Sequence, residues 1–181
     1  MKNTRVTLVP LTKNDREQFI LDNQWSFKHG ALIEFGVRDD HIDTDGEIIS
    51  RKTIEECIDN ASSETYRIVV DGERVGGVIL KIDKEAKRGE LDILFVNPDA
   101  HSRGIGYGAW LAVEELHPEI EVWETCTPYF EKRNIHFYVN KCGFKITEFW
   151  CEHFAPTHEM PDNEHHDEGP DEMFRFIKKM K

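Results

Sequence analysis

The chain has 181 residues, 39% hydrophobic and 32% charged, with a net charge of −12. That length supports one domain with a sizeable core, expected over residues 1–181. No run approaches the ~18 apolar residues of a membrane-crossing helix, and the acidic balance repels nucleic-acid backbones and anionic membranes, so neither is an expected partner.

In chain order, RVTLVPL predicts a strand that stops near Pro10. Thr12 is placed to cap a helix, KNDREQFILDNQW, and residues 26 to 50 read as irregular. TIEECIDN predicts a second helix, with Thr53 and Glu56 spaced as a capping box. The period then changes to two. TYRIVVDGERVGGVILKID is a pair of β-runs around Asp71-Gly72, a hairpin signal. KRGELDILFVNP is a third strand, stopped by Pro98. GYGAWLAVEELH is a helix ended by Pro118. EIEVWETC is a strand, and EKRNIHFYVNKC is a helix with Gly143 at its C-terminal cap. FKITEFW and EMFRFIKKM are strands on either side of a loop of about 20 residues.

This order predicts an α/β fold with a mixed sheet. Strand, crossover helix and strand over Glu90 to Cys126 imply one parallel pair inside it, with a ligand site near the strand C-termini. The four cysteines (Cys57, Cys126, Cys142, Cys151) have no CxxC spacing, which fits a reducing cytoplasm and argues against a disulfide framework or a cysteine zinc site.

Gly104, Gly106 and Gly108 stand where the third helix begins. Glycines there let a backbone approach phosphate, and the helix N-terminus offers unpaired N–H groups and partial positive charge. The dinucleotide fingerprint GxGxxG needs its third glycine one place later, and a P-loop needs GxxxxGK[ST]. A glycine-rich packing turn is the plain alternative.

HSRGIGYG, preceded by Val96 and Pro98, resembles the pyrophosphate loop of the acetyl-CoA-dependent N-acetyltransferases of the GNAT superfamily, Q/R-x-x-G-x-G/A after a strand ending near V-x-P. His101 takes the usual Gln/Arg position. NIHFYVNKCGFK is similar to a later motif of that family, A-x-x-x-Y-E-K-x-G-F, through Tyr138, Gly143 and Phe144. Asn134 stands where alanine is commoner, and Glu131 where an asparagine often meets the pantetheine arm.

The resemblance implies a three-layer fold: a mostly antiparallel sheet with a central parallel pair, flanked by helices. It implies acetyl-CoA as co-substrate and direct transfer to an amine in a ternary complex. Cofactor contacts then fall to Phe95, Val96, His101, Ser102, Arg103, Gly104, Ile105, Gly106, Tyr107, Gly108, Asn134 and Phe137. The strands should splay near Phe95 and Val96. Members are often dimeric, so a homodimer is an expected assembly.

An alkylammonium has a pKa near ~10 and must lose a proton before it attacks a thioester. Glu90 and Asp92 lie two apart on one strand face. Glu90 falls where histone acetyltransferases of the family carry their catalytic glutamate, which makes it the expected base, with Asp92 as substitute and Glu124 as a third candidate. Tyr138 matches the family's general acid. The plain readings are solvent-facing carboxylates and a core aromatic. Cys126 lacks a histidine at a telling spacing and reads as a small buried hydrophobe.

Two acidic stretches carry most of the charge. Five acids and no Lys or Arg lie between Arg38 and Arg51, and nine more lie between Lys145 and Arg175. HIDTDGEIISRK imitates a calcium loop, but His41 and Lys52 occupy ligand positions, so DTDG reads as a turn. His153, His158, His165 and His166 fit no metal spacing, and no metal is expected. The family places both stretches on the acceptor side, which suggests an acidic rim for a basic amine such as a polyamine or aminoglycoside. A protein N-terminus or lysine is the rival acceptor, and a non-catalytic acyl-CoA-binding module the rival class.

Overall fold

Among the described residues, seven strands form one sheet in the order β1-β2-β3-β4-β5-β7-β6. The computed structural model describes residues 5–32, 46–101, 104–151, 153–154 and 172–181. The strands are β1 (Val6–Pro10), β2 (Ser63–Val70), β3 (Glu73–Asp83), β4 (Arg88–Val96), β5 (Val122–Pro128), β6 (Lys145–Trp150) and β7 (Met173–Lys179). Helices are α1 (Arg16–Leu32), α2 (Arg51–Asp59), α3 (Ile105–Leu116) and α4 (Lys132–His136), the last continuing into a π-helical turn over Phe137–Lys141. All strand pairs are antiparallel except β4–β5. The mixed α/β architecture expected from the element order is the one observed.

Local chemistry explains the hairpin. Asp71 and Gly72 both have positive φ, 51° and 86°, as a two-residue turn matched to strand twist requires. Two details differ from expectation. Helix α2 starts at Arg51, and its cap is Ser50, whose Oγ accepts from Thr53 N at 3.1 Å. The Thr53–Glu56 box is therefore one turn too late. Thr12 makes no side-chain cap; a 3-10 turn over Lys13–Asp15 leads into α1, which runs on to Leu32.

Helix α1 is moored by charge. Arg67 bonds Asp15 at 2.7 and 3.0 Å and Asp22 at 2.7 Å, and Arg74 adds a bond to Asp15 at 2.8 Å. Arg67 and Asp15 are buried, so removing either leaves the other as a buried charge with one remaining partner, Asp22 for Arg67 and Arg74 for Asp15.

The sheet has a core on each face. On one, Val78, Leu80, Leu91 and Trp123 meet Trp110 and Val113 of α3 and Tyr138 of the π-helical turn. On the other, Ile79, Ile93 and Phe95 meet Phe19 and Ile20 of α1 and Ile54 of α2. Leu91 and Ile93 are two apart yet lie in different cores. The reason is a β-bulge: Leu80 pairs with Leu91 and Ile79 with Ile93, which leaves Asp92 without a partner. Among the described residues, no helix is long and apolar enough to cross a membrane.

Candidate active site

Strands β4 and β5 pair over three residues only: Arg88 with Val122, Gly89 with Trp123, and Glu90 with Glu124. Beyond that point β4 stays with β3 to Val96, and β5 stays with β7 to Pro128. The parallel pair thus opens into a fork, its arms Leu91–Val96 and Thr125–Pro128. Strand arms that part leave backbone donors and acceptors for a ligand to use. The fork begins directly after Glu90, earlier than the Phe95–Val96 expectation. Thr125 Oγ1 donates to the Leu91 carbonyl at 2.8 Å across its vertex.

The glycine loop lies at the end of the β4 arm. Pro98–Ala100 form a 3-10 turn, and Gly104 caps α3 with φ of 72° and open space where a Cβ would stand. The first bond of the α3 ladder closes from Gly108 N to Gly104 O at 2.9 Å. The N–H groups ahead of it have no intrahelical partner, as at any helix start. A Cβ on Gly106 would stand 3.6 Å from Phe137 and 3.9 Å from Val96, so these three residues sit together beside the loop. His101 holds the loop to the strand through its Nε2, 2.8 Å from the Val96 carbonyl. Ile105 is buried and Tyr107 exposed. Gly108 faces elsewhere: a Cβ there would be 2.7 Å from Val6 of β1, so its local role is close packing. Asn134 donates to Thr127 Oγ1 at 3.3 Å, on the other arm. Ser102 and Arg103 lie outside the described residues.

At the vertex, titratable groups gather on the α1–α2 face. Burial raises Glu90 above the usual glutamate range; Lys81 opposes this, and Asp92 and Glu124 add to it. Lys81 Nζ lies 3.8 Å from Glu90 and 3.2 Å from Asp92. The shorter contact is an ion pair to Asp92 Oδ2, a buried oxygen. Burial pulls the Lys81 ammonium down, but Asp92 and Glu90 outweigh it and hold it above the ordinary lysine value. Glu124 is clamped by Arg175 at 2.6 and 2.7 Å and touched by Arg88 at 3.2 Å; burial raises it, yet these cations bring it net below the usual range. Arg175 also pairs with Glu148 of β6. Cys57 and Cys126 border the group. Burial first, then the carboxylates, push each thiol up to about 12, so neither is a ready nucleophile.

Tyr138 approaches from the opposite face. It is buried among Phe137, Phe144 and Phe176. Burial raises its phenol well above the ordinary value, and a hydrogen bond with Thr125 offsets part of that rise. The phenol is therefore linked through Thr125 to the fork vertex, and it stays protonated at neutral pH.

The fold thus brings Glu90, Asp92 and Glu124 to one face of the vertex and Tyr138 to the other. Sequence reading missed Lys81, Arg175 and Thr125, which organise them; each pairs across strands, where no local pattern marks it. Among the described residues no cluster of His, Cys, Asp and Glu could hold a metal ion. Most of the two acidic stretches, and with them DTDG up to Asp45 and three of the four loop histidines, lies outside the described residues.

The model of the GNAT acetyltransferase family matches residues 32–144. An uncharacterised protein of Bacillus subtilis strain 168, YrkN, is 40% identical over 185 residues, covering 99% of this chain and 97% of that protein. Among solved structures, the spermidine N-acetyltransferase of Vibrio cholerae in complex with CoA and spermine aligns with a TM-score of 0.65 at 13% identity, covering 97% of this chain and 95% of that one. The ribosomal-protein-S18-alanine N-acetyltransferase of Escherichia coli aligns with a TM-score of 0.65 at 12% identity, covering 96% and 93%. The family match spans more than half the chain and the YrkN identity nearly all of it, and both agree with the forked sheet and glycine loop: this chain belongs to the GNAT family of acetyltransferases, whose co-substrate is acetyl-CoA.

Proposed function

We propose that the protein transfers the acetyl group of acetyl-CoA to the primary amine of a basic small molecule, polyamine-like or aminoglycoside-like, by direct attack in a ternary complex. The observation that carries this reading is Glu90 at the fork vertex: a half-exposed carboxylate with raised proton affinity, next to the place where β4 and β5 part. A base with elevated pKa suits proton removal from an ammonium near neutral pH.

In this reading the glycine loop of α3 holds the pyrophosphate and the fork holds the pantetheine arm. Glu90 takes the ammonium proton, directly or through one water. The amine nitrogen forms its bond to the acetyl carbon, and the carbon–sulfur bond breaks. Tyr138 supplies the proton that the departing thiolate needs, and backbone donors on the β4 arm face the developing oxyanion. Asp92 and Glu124, already paired with cations, act as neighbours of the base.

The net charge of −12 favours a cationic acceptor, and the likeness to the spermidine enzyme lends the same class support. The equal likeness to the ribosomal-protein enzyme keeps a protein N-terminus as the second reading. A panel of polyamines, aminoglycosides, amino acids and short peptides, assayed by CoA release with products weighed by mass spectrometry, separates them. Mono-acetylation of a cationic small molecule supports the proposal. Turnover of peptides alone would move the protein to the second reading, and acetyl-CoA binding without transfer to any amine would leave an acyl-CoA-binding module.

A further inference from the structure

The floor of the site holds more carboxylates than a single base requires, and the structure shows why they are not equivalent. Asp92 and Glu90 share a face as residues two apart on a strand do, and the bulge leaves Asp92 without a register partner on β3, 3.2 Å from the Lys81 ammonium. Lys81 is the register partner of Glu90, yet its ammonium lies closer to Asp92, 3.2 Å against 3.8 Å. The Asp92 side chain keeps 14% of its surface and the Glu90 side chain 43%. Across the parallel ladder Glu124 is held by Arg175 and Arg88, and Glu148 by Arg175. From α2, the Cys57 thiol meets Asp92.

We propose that Lys81 is a positioning residue: by committing itself to Asp92 across the bulge, it leaves Glu90 as the one carboxylate of the floor that accepts the amine's proton. The idea rests on Glu90 being the base, and it adds that Asp92 acts by restraining Lys81. Charge supports it. Lys81 lowers the proton affinity of Glu90, while Asp92 and Glu124 raise it. If Asp92 loses its charge, Lys81 is released toward Glu90, 3.8 Å away, and the base is quenched. If Lys81 is also removed, Glu90 is released again. A residue that merely props the strand has no such reciprocal pattern.

The test needs no acceptor. Glutamate labelled with carbon-13 at Cδ reports the Glu90 titration by NMR, the signal being assigned by its loss in Glu90→Gln. Lys81→Met should move the Glu90 midpoint upward by about one pH unit. Asp92→Asn should move it downward by a similar amount, and the double variant should return toward wild type. Lys81→Gln serves as a second version should Met disturb packing, with circular dichroism confirming the fold. A Glu90 midpoint that stays in place in both Lys81 variants, or an Asp92→Asn shift that Lys81→Met does not reverse, would overturn the proposal. Failure of the base reading shows separately, as a Glu90→Gln enzyme that turns over at the wild-type rate.

Discussion

Glu90 and Glu124 are opposite each other in the last paired position of the parallel β4–β5 ladder, yet their chemistry has been driven apart. Arg175 and Arg88 hold Glu124 below the usual glutamate range, whereas burial and the neighbouring carboxylates hold Glu90 above it. One fork thus begins with an anion locked in place and a carboxylate ready to take a proton.

This has a consequence for stability. A carboxyl with a raised native pKa binds more protons folded than unfolded, so stability falls as pH rises through the window from the ordinary glutamate pKa to the higher native one. Glu90→Gln removes that loss. Its melting temperature should equal wild type at low pH and exceed it at pH 7, by no more than about 2 °C given the 43% exposure of the side chain. Calorimetry at pH 4 and pH 7 checks the sign; a lower value at pH 7 would contradict it.

Tyr138→Phe keeps the ring packed against Phe144 and Phe176 and deletes the phenol that meets Thr125. Stability should fall by only about 1 kcal/mol. kcat should fall by about 10²-fold with the acetyl-CoA KM little changed, as loss of a general acid predicts. Equal kcat in the variant would return Tyr138 to the role of a core aromatic.

Gly104 and Gly108 should separate by phenotype. Gly104 has φ of 72° and open space around it. Gly104→Ala should cost about 1 kcal/mol of strain and raise the KM for acetyl-CoA. Gly108 fits against Val6. Gly108→Ala overpacks that contact at a cost of about 1–3 kcal/mol, and Val6→Ala in the same chain should recover part of the lost melting temperature.

The elements were legible because their signals are local. Asp71-Gly72 announces its hairpin, Pro98 and Pro118 close β4 and α3, and Gly143 with φ of 80° ends the π-helical turn. The capping of α2 was misplaced because Thr53 and Glu56 imitate a capping box one turn inside the true one at Ser50. The bulge was hidden because GELDILFV alternates as an ordinary strand would; nothing in it tells that Leu91 and Ile93 serve different cores. The candidate base and acid were readable through family motifs. Their environment was not, since Lys81 meets Asp92, and Arg175 meets Glu124, only once distant strands have paired.

The most direct measurement is the rate of acetyl transfer by Glu90→Gln against wild type, on whichever amine of the panel turns over, across pH 6 to 9. With Glu90 as base, kcat/KM should drop by about 10²-fold near neutrality. The loss should shrink toward high pH, where more of the amine is already deprotonated. A variant that matches wild type throughout that range would show that the proton leaves by another route, and Glu90 would then be a structural carboxylate at the vertex of the fork.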